Sequence, residues 1–306
     1  MAGLREAKYI WKDGQFVAWK DANTHVLTHS LHYGSAVFEG LRAYETKQGP
    51  AVFRLREHME RLKQSAAMTF MEFDYSVDEL CCAVVDLIKK NELPRCYIRP
   101  IVYRGYGALG VDPRNAPVNV VLAAWIWDSY LGADALANGV DVAVSSWRQR
   151  SANSTPPGIK AAGSYFNSAL AHMEASQNGF TEAILLNEDG KVCEGSGENL
   201  FTVKDGQIFT PPLSDGILAG ITRDSVIKIA LNLGYAVNEV SLVRSQLYVA
   251  DEVFFTGSAA ELTPIASVDR RKIGKPGPIT KALQEAFFAV VGGEDITYNK
   301  WLTQVN

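Results

Sequence analysis

The stretch 194-EGSGENLFTVKDGQIFTPPLSDGILAGITR-223 holds the densest set of chemical signals in this 306-residue chain. It begins with a lone acid, Glu194, and a strand pattern follows the small residues after it. It ends with Gly220, directly before a predicted helix that starts at Thr222. The unpaired amides of a helix start attract anions, and the Thr222 hydroxyl adds a donor there. The stretch therefore predicts one isolated carboxylate and one anion site.

Other parts of the chain offer further groups for the same anion. The stretch 257-GSAA-260 is a second turn rich in backbone amides, and it contains Ser258. Arg61, on a predicted helix, supplies a fixed positive charge that suits a phosphate group. With the amides of Ile221 and Thr222, these groups predict a phosphate site.

A single lysine stands in 154-STPPGIKAAGSY-165, among small and apolar residues. Lys160 is the only lysine between Lys90 and Lys191, and the prolines before it exclude a regular helix. A lysine whose surroundings disfavour its charge is a nucleophile. On this window alone, a lysine in an exposed loop rich in Gly and Pro remains the alternative.

A nucleophilic amine, an isolated acid and a phosphate site together match the needs of pyridoxal 5'-phosphate. The aldehyde of this cofactor needs a lysine for a Schiff base, its ring nitrogen needs a carboxylate, and its phosphate needs an anchor. Each feature alone is weak, because a glycine at a helix start usually only caps the helix. Their combination favours this cofactor.

The composition argues against several other classes of function. A formal net charge of -4 and a pI near 5.8 argue against a nucleic-acid partner, and the densest basic run, 269-DRRKIGK-275, is predicted to be a solvated loop. The four cysteines form no C-x-x-C pair, which predicts a reduced, cytoplasmic protein. No segment reaches the ~18 uninterrupted apolar residues of a membrane span.

Two motif matches fail on their context. Three glycines between residues 105 and 110 fit G-x-G-x-x-G, but prolines follow where a dinucleotide fingerprint needs a helix. His25, His29 and His32 lack the Glu or Cys that would complete a zinc site. We therefore expect neither a nicotinamide cofactor nor a metal.

The pattern of apolar residues predicts a mixed α/β chain with two domains. We expect a small N-terminal domain at 1–128, an interdomain linker at 129–138 and a larger cofactor-binding domain at 139–306. Strands are predicted at 8–11, 15–20, 41–46, 51–55, 96–103, 118–127, 140–147, 183–187, 200–203, 207–210 and 252–257, and helices at 56–68, 77–90, 164–179, 222–234 and 280–291.

The run from Glu194 to Arg223 resembles the signature of the branched-chain amino acid aminotransferases. These belong to the D-amino-acid-aminotransferase-like group (fold type IV) of pyridoxal phosphate enzymes, and the resemblance covers essentially the whole chain. It implies a two-domain α/β (α+β) fold whose C-terminal domain has a β-barrel-like core. The matching residues are Glu194, Ser196, Asn199, Leu200, Phe201, Ile208, Thr210, Leu218, Gly220, Ile221 and Arg223.

The resemblance also implies the roles of the cofactor-binding residues. Lys160 would form the Schiff base and then act as the general acid/base. Tyr165 would contact the ring oxygen, and Glu194 the pyridine nitrogen. The phosphate contacts would come from Arg61, Ile221, Thr222 and Ser258. Glu198 and Asn199 match the signature without an assigned role.

The substrate pocket implied by the resemblance lies mostly in the first domain. Phe38 and Gly40 would give an apolar wall with room for a branched side chain. Tyr97 and Arg99 lie two apart on a strand and hence on one face, where Arg99 would receive the distal carboxylate of glutamate. The full set of implied substrate-binding residues is Tyr33, Phe38, Gly40, Tyr97, Arg99, Val111, Tyr130, Ser258 and Ala259.

The implied reaction is reversible amino transfer between L-leucine, L-isoleucine or L-valine and 2-oxoglutarate. The loop 110-GVD-112 matches an element that reaches a neighbouring subunit, which implies a homodimer, with a hexamer possible. Three alternatives stay open: a D-amino acid or (R)-amine transaminase, an aminodeoxychorismate lyase on the same scaffold, and a non-catalytic protein that binds a phosphate ligand.

Overall fold

The computed structural model describes residues 5–127, 131–132 and 134–305. Contacts divide the chain into two compact units. The first contains Met1–Asp128, Ile159–Ser164 and Val290–Asn306, and the second contains Ser129–Gly158 and Tyr165–Ala289. Lys160 thus belongs to the first unit although it follows the predicted boundary in sequence. The bounds of the two domains and of their linker stay a prediction.

The helices and strands alternate along the chain as expected for a mixed α/β fold. In chain order, the elements up to residue 127 are β1 (Tyr9–Lys12), β2 (Gln15–Ala18), α1 (His29–Tyr33), β3 (Ala36–Phe38), β4 (Leu41–Thr46), β5 (Gly49–Phe53), α2 (Leu55–Met68), α3 (Val77–Asn91), β6 (Cys96–Arg104) and β7 (Val118–Trp125). From residue 131 they are α4 (Ala135–Asn138), β8 (Val140–Arg148), α5 (Tyr165–Gln177), β9 (Glu182–Leu186), β10 (Val192–Gly195), β11 (Asn199–Lys204), β12 (Gln207–Thr210), α6 (Ile221–Asn232), β13 (Val237–Glu239), α7 (Arg244–Tyr248), β14 (Glu252–Gly257), β15 (Glu261–Val268), β16 (Arg271–Lys272), α8 (Pro278–Val291) and β17 (Leu302–Gln304).

The first unit is an antiparallel sheet with two helices packed on it. The strand order is β17-β5-β4-β6-β7-β1-β2, and β3 pairs with β6. Both helices have an apolar stripe, and Leu62 of α2 and Leu80 and Leu87 of α3 are fully buried in one core with the sheet. A capping box of Ser76 and Glu79 begins α3. This packing fixes α2 against β3 and β6.

The second unit is built on a closed ring of six strands. Its order is β10-β9-β8-β15-β14-β11-β12-β13, and an additional pairing of β10 with β11 closes β8, β9, β10, β11, β14 and β15 into a barrel. The apolar core of this unit includes Val142, Ile184, Leu200 and Phe255. The mixed α/β class and the barrel-like core of the second unit confirm the fold implied by the resemblance.

The elements that the sequence did not predict are mostly short, such as β3 and β17. The longest of them, β15, pairs with both β8 and β14, yet it contains Pro264. Proline is rare inside a central strand, so this position argued against a strand there. The basic run at 269–275 is exposed as predicted, but its Arg271–Lys272 part forms β16 and pairs with β15, so it is not only a loop.

The described residues include all four cysteines. The four cysteines, Cys81, Cys82, Cys96 and Cys193, are free thiols. No helix in the described part of the chain has both the length and the apolar character needed to cross a bilayer. Residues 5–127, 131–132 and 134–305 contain no cluster of His, Cys, Asp and Glu suited to a metal ion.

Candidate active site

Lys160 is held by its backbone between β3 and α2. The amide of Phe38 donates to the Lys160 carbonyl at 3.0 Å, and the Lys160 amide donates to Ser65 Oγ at 3.3 Å. Val37 and Ala161 form a bridge beside it. The side chain is half-buried, and Nζ lies 5.1 Å from the centre of the Phe38 ring. This anchoring argues against the alternative of a lysine in an exposed loop.

One face of α2 carries three polar residues toward the Lys160 segment. His58, Arg61 and Ser65 are spaced three and four residues apart, so they lie on the same side of the helix. Because Ser65 accepts from the Lys160 amide, Arg61 lies one helical turn from that contact. The predicted phosphate ligand and the predicted nucleophile are therefore neighbours within the first unit.

Glu39, which the sequence analysis did not select, is fully buried beside Arg61 and His58. Arg61 Nε donates to Glu39 Oε1 at 2.6 Å and Nη2 donates to Oε2 at 2.8 Å, while His58 Nδ1 lies 2.7 Å from Oε2. Burial would raise the pKa of Glu39, but the charge of Arg61 and the hydrogen bonds from Arg61 and His58 outweigh it and hold that pKa well below its ordinary value. Burial lowers the pKa of His58. The cluster therefore holds a carboxylate, a guanidinium and a neutral imidazole.

Phe38, Tyr97 and Arg99 form one wall of the first unit. Arg99 Nη2 donates to the Tyr97 hydroxyl at 3.2 Å, and the guanidinium carbon lies 4.7 Å from the centre of the Phe38 ring. The edge of Trp127 packs against Tyr97 with ring centres 4.7 Å apart. The sequence analysis placed Trp127 in a strand and missed this contact. The wall is aromatic with one cation in it.

Gly40 provides the space that the Tyr97 hydroxyl occupies. A Cβ at position 40 would lie 1.9 Å from Tyr97 Oη and 2.9 Å from Cζ. Tyr97 is 4% exposed and is packed against Trp125 and Trp127, so its ring has little room to withdraw. Only glycine fits this position without displacing the ring.

We expect Gly40→Ala to lower thermal stability by several degrees. Overpacking of this kind costs about 1–3 kcal/mol, and each kcal/mol shifts the melting temperature by about 2–4 °C in a chain of a few hundred residues. Thermal melting checks this, with Gly197→Ala as control because a Cβ there meets no atom within 4 Å. Unchanged melting of Gly40→Ala would show that Tyr97 moves freely.

Tyr33 lies on α1, and Val111 lies on the loop that His29 of α1 binds. His29 of α1 is buried, with Nε2 2.7 Å from the Gly110 carbonyl oxygen and Nδ1 2.7 Å from Ser35 Oγ. The Tyr33 ring packs on the His29 ring, with centres 4.6 Å apart. Val111 is 88% exposed. His29 therefore anchors the glycine loop, a role that the failed zinc pattern did not suggest.

In the second unit, the Glu194 carboxylate is held by three N–H groups. Gln149 Nε2 donates to Oε1 at 2.6 Å, and Asn199 Nδ2 and the Leu218 amide donate to Oε2 at 3.1 and 3.0 Å. Asn199 also requires Gly220, because a Cβ at position 220 would lie 1.9 Å from Asn199 Oδ1. The signature residue Asn199 thus orients Glu194, and Gln149 is a partner that the sequence analysis missed.

The start of α6 has the form of an anion site. Gly220 is its N-cap, with no side-chain cap, and the first two helical residues are Ile221 and Thr222, both buried. Amides in a first helical turn have no partner within the helix, so they attract an anion. Ser258 and Ala259 lie in the turn between β14 and β15 and are half-buried.

Arg150 is a second residue that the sequence analysis missed. Burial lowers the pKa of Arg150, while Glu194 and Tyr165 of the same unit oppose this shift. Tyr165 is the first residue of α5. In the part of the chain that the structure describes, Arg150 Nε and Nη1 are buried without a hydrogen-bond partner. No pattern around 147-WRQR-150 distinguishes this arginine from a surface one.

The structure groups the predicted residues by unit. Lys160, Arg61, Phe38, Gly40, Tyr97 and Arg99 come together in the first unit, with Tyr33 and Val111 on α1 and its loop. Glu194, Tyr165, Ile221, Thr222, Ser258 and Ala259 belong to the second. Tyr130 lies outside the described residues.

Comparisons with known proteins show the family of this chain. A family model described as amino-transferase class IV matches residues 36–268. The branched-chain-amino-acid aminotransferase of Escherichia coli (strain K12) is 48% identical over 305 residues, covering 99% of each chain. The crystal structure of an Escherichia coli branched-chain amino acid aminotransferase has a TM-score of 0.96 at 48% identity, covering 98% of this chain and 100% of that one. The branched-chain amino acid aminotransferase from Thermobaculum terrenum in its PLP-form has a TM-score of 0.92 at 38% identity, covering 98% of this chain and 99% of that one.

Proposed function

Since this chain belongs to the amino-transferase class IV family and is a branched-chain-amino-acid aminotransferase, we propose that it transfers the amino group of L-leucine, L-isoleucine or L-valine reversibly to 2-oxoglutarate, with pyridoxal 5'-phosphate as cofactor. Class IV amino-transferases are pyridoxal phosphate enzymes, and they act on small amino acids and keto acids. The three branched substrates, the acceptor and the residues that bind them are our proposal.

The donor set of the chain fits this cofactor. Glu194 offers a carboxylate that three N–H groups hold in one orientation. The glycine-capped start of α6 offers amides for a phosphate, and Arg150 keeps two buried N–H groups without a partner in the described residues. When bound, pyridoxal 5'-phosphate supplies an aldehyde that takes up the amino group and a cationic ring that accepts an electron pair.

Each residue then has a distinct task. Lys160 Nζ would hold the cofactor covalently when it is bound and, once released from that bond, would move the proton of the substrate Cα. Glu194 would keep the ring nitrogen protonated, and Tyr165 would donate to the ring oxygen. The phosphate contacts would come from Arg61, Ile221, Thr222 and Ser258, and the glycine-capped start of α6 supports this assignment for Ile221 and Thr222.

The observation that carries the substrate assignment is the position of Arg99. Its guanidinium lies over the Phe38 ring at 4.7 Å and binds the Tyr97 hydroxyl at 3.2 Å, so a cation is part of an apolar wall. A pocket that takes leucine and then glutamate must accept an apolar side chain and a carboxylate in turn. Arg99 would bind the carboxylate, while Phe38 and the space at Gly40 would receive the apolar side chain. The amides of Ser258 and Ala259 would receive the substrate carboxylate.

We expect Arg99→Met to raise the KM for 2-oxoglutarate by about 10- to 100-fold, because a hydrogen bond to a charged group contributes about 1.5–3 kcal/mol. The leucine half-reaction should change far less, since its side chain does not need the cation. Arg42→Met is a matched control, because Arg42 also faces the Tyr97 ring, at 5.9 Å. Equal losses in both half-reactions would exclude a role in acceptor recognition.

A donor and acceptor panel with the purified protein tests the function itself. L-Leucine, L-isoleucine and L-valine with 2-oxoglutarate should be turned over, and D-alanine should be a poor donor. A strong preference for D-alanine would point to a D-amino acid transaminase. Release of pyruvate from aminodeoxychorismate without an added keto acid would point to the lyase.

We expect a homodimer as the minimal active unit. The loop that contains Val111 is held by His29 and presents an 88% exposed apolar side chain, and Val26 and Leu31 are also exposed. Exposed apolar residues of this kind mark contact surfaces. Light scattering of the purified protein distinguishes monomer, dimer and hexamer.

A cytoplasmic location remains an expectation based on the free thiols.

A further inference from the structure

We propose that Glu39 is a positioning residue for cofactor phosphate binding: it fixes the guanidinium of Arg61 in the orientation that grips a phosphate. This inference rests on the proposed function, in which Arg61 is a phosphate ligand. It assigns a role to a residue that lies outside the signature stretch and next to Gly40 in 36-AVFEGL-41.

The geometry of the pair is that of a clamp. Glu39 Oε1 accepts from Arg61 Nε at 2.6 Å, and Oε2 accepts from Nη2 at 2.8 Å. Two parallel hydrogen bonds to one planar guanidinium fix its plane as well as its position. They occupy the Nε and Nη2 edge, so the Nη1 edge is the one directed away from Glu39.

His58 holds the carboxylate from the other side. Its Nδ1 lies 2.7 Å from Glu39 Oε2, and both side chains are fully buried. An ionised carboxylate only accepts hydrogen bonds, so Nδ1 carries the proton and donates it. Glu39 therefore has a fixed support, which a clamp needs if it is to orient Arg61.

Charge alone would suggest that Glu39 weakens phosphate binding. Its negative charge offsets that of Arg61 and weakens the attraction for a phosphate dianion, so a site built for attraction would omit it. Without the carboxylate, the half-buried Arg61 side chain would have to be ordered when the phosphate binds. Preorganisation outweighs the lost attraction when a long side chain must otherwise be ordered during binding. The clamp also lies one turn of α2 from Ser65, which fixes the backbone of Lys160.

The test compares the binding of pyridoxal 5'-phosphate and of pyridoxal, which lacks the phosphate. Glu39→Gln should weaken pyridoxal 5'-phosphate binding by about 2- to 10-fold, the cost of ordering one long side chain, and leave pyridoxal binding unchanged. Affinities are measured by cofactor absorbance with the apo protein, independently of turnover. Glu57→Gln is the control, because Glu57 forms a comparable pair with Arg54 on the same helix, at 2.7 Å.

A double-mutant cycle shows whether Glu39 acts through Arg61. Arg61→Lys keeps the charge but lacks the planar fork, so Glu39→Gln should have no further effect on pyridoxal 5'-phosphate binding in that background. Thermal melting confirms that each variant is folded, and Glu39→Asp, which withdraws the carboxylate by one methylene, replaces Glu39→Gln if that variant does not fold.

Three results would overturn the inference: equal loss of both ligands, unchanged or tighter pyridoxal 5'-phosphate binding, or additive effects in the cycle. Failure of the wild-type protein to take up the cofactor would instead refute the proposed function.

Discussion

Lys160→Ala is expected to abolish the covalent uptake of pyridoxal 5'-phosphate and to reduce turnover by on the order of 10³-fold or more, because in the proposed mechanism one amine both links the cofactor and moves the substrate proton. The backbone of residue 160 is held through its own amide and carbonyl, so truncation of the side chain should leave the fold intact. The measurements are the visible absorbance of the purified variant, the mass of the borohydride-treated protein and the rate of leucine transamination.

The control for this variant is Lys90→Ala. The Lys90 ammonium also lies over an aromatic ring, that of Tyr9 at 4.6 Å, but at the end of α3, where it has no predicted role in catalysis. The Lys90→Ala variant should keep the visible absorbance of the bound cofactor and its activity. Retained turnover in Lys160→Ala would remove the proposed mechanism, whatever its colour.

Glu194→Gln is expected to retain the covalent link to Lys160 but to lose on the order of 10²-fold in turnover. An opposite charge favours the protonated form of a neighbouring group by about 1–3 pKa units, and the neutral amide no longer gives the ring nitrogen that support. In the wild-type protein, N–H groups of Gln149, Asn199 and Leu218 bind the carboxylate. The side-chain NH2 group of the glutamine variant would face one of these donors and leave it without an acceptor.

Two readouts separate the roles of Lys160 and Glu194. Both variants should fail in turnover, but only the lysine variant should fail to form the covalent adduct detected by mass spectrometry. Glu188→Gln, an exposed acid in the turn between β9 and β10, serves as control and should behave as wild type. A fully active Glu194→Gln variant would show that turnover does not need the Glu194 carboxylate to keep the ring nitrogen protonated.

The predictable part of the fold follows from local patterns. The apolar stripes of α2 and α3 and the long strands β6 and β7 repeat with the periods of helix and strand, and the structure has all four within a few residues of the expected bounds. Strand β15 was missed because Pro264 argues locally against a strand, while its pairing with β8 and β14 depends on residues far away in the chain.

The site shows the same division. Lys160 and the Gly220–Thr222 helix start are visible in sequence because unusual neighbours mark them, and the signature marks Glu194. The partners of these groups are not visible: Gln149 is 45 positions from Glu194, and Glu39 is 22 positions from Arg61. No local rule distinguishes a buried acid in 36-AVFEGL-41 from an exposed one.

The sequence by itself therefore determined which groups are candidates for the chemistry: an amine among small residues, an acid ahead of a strand, and a helix that begins after glycine. Only the tertiary structure decided how each is held, because the orientation of a side chain depends on hydrogen bonds and packing between segments distant in sequence. Glu39 on Arg61, Asn199 on Glu194 and Tyr97 in the space at Gly40 are contacts of this kind.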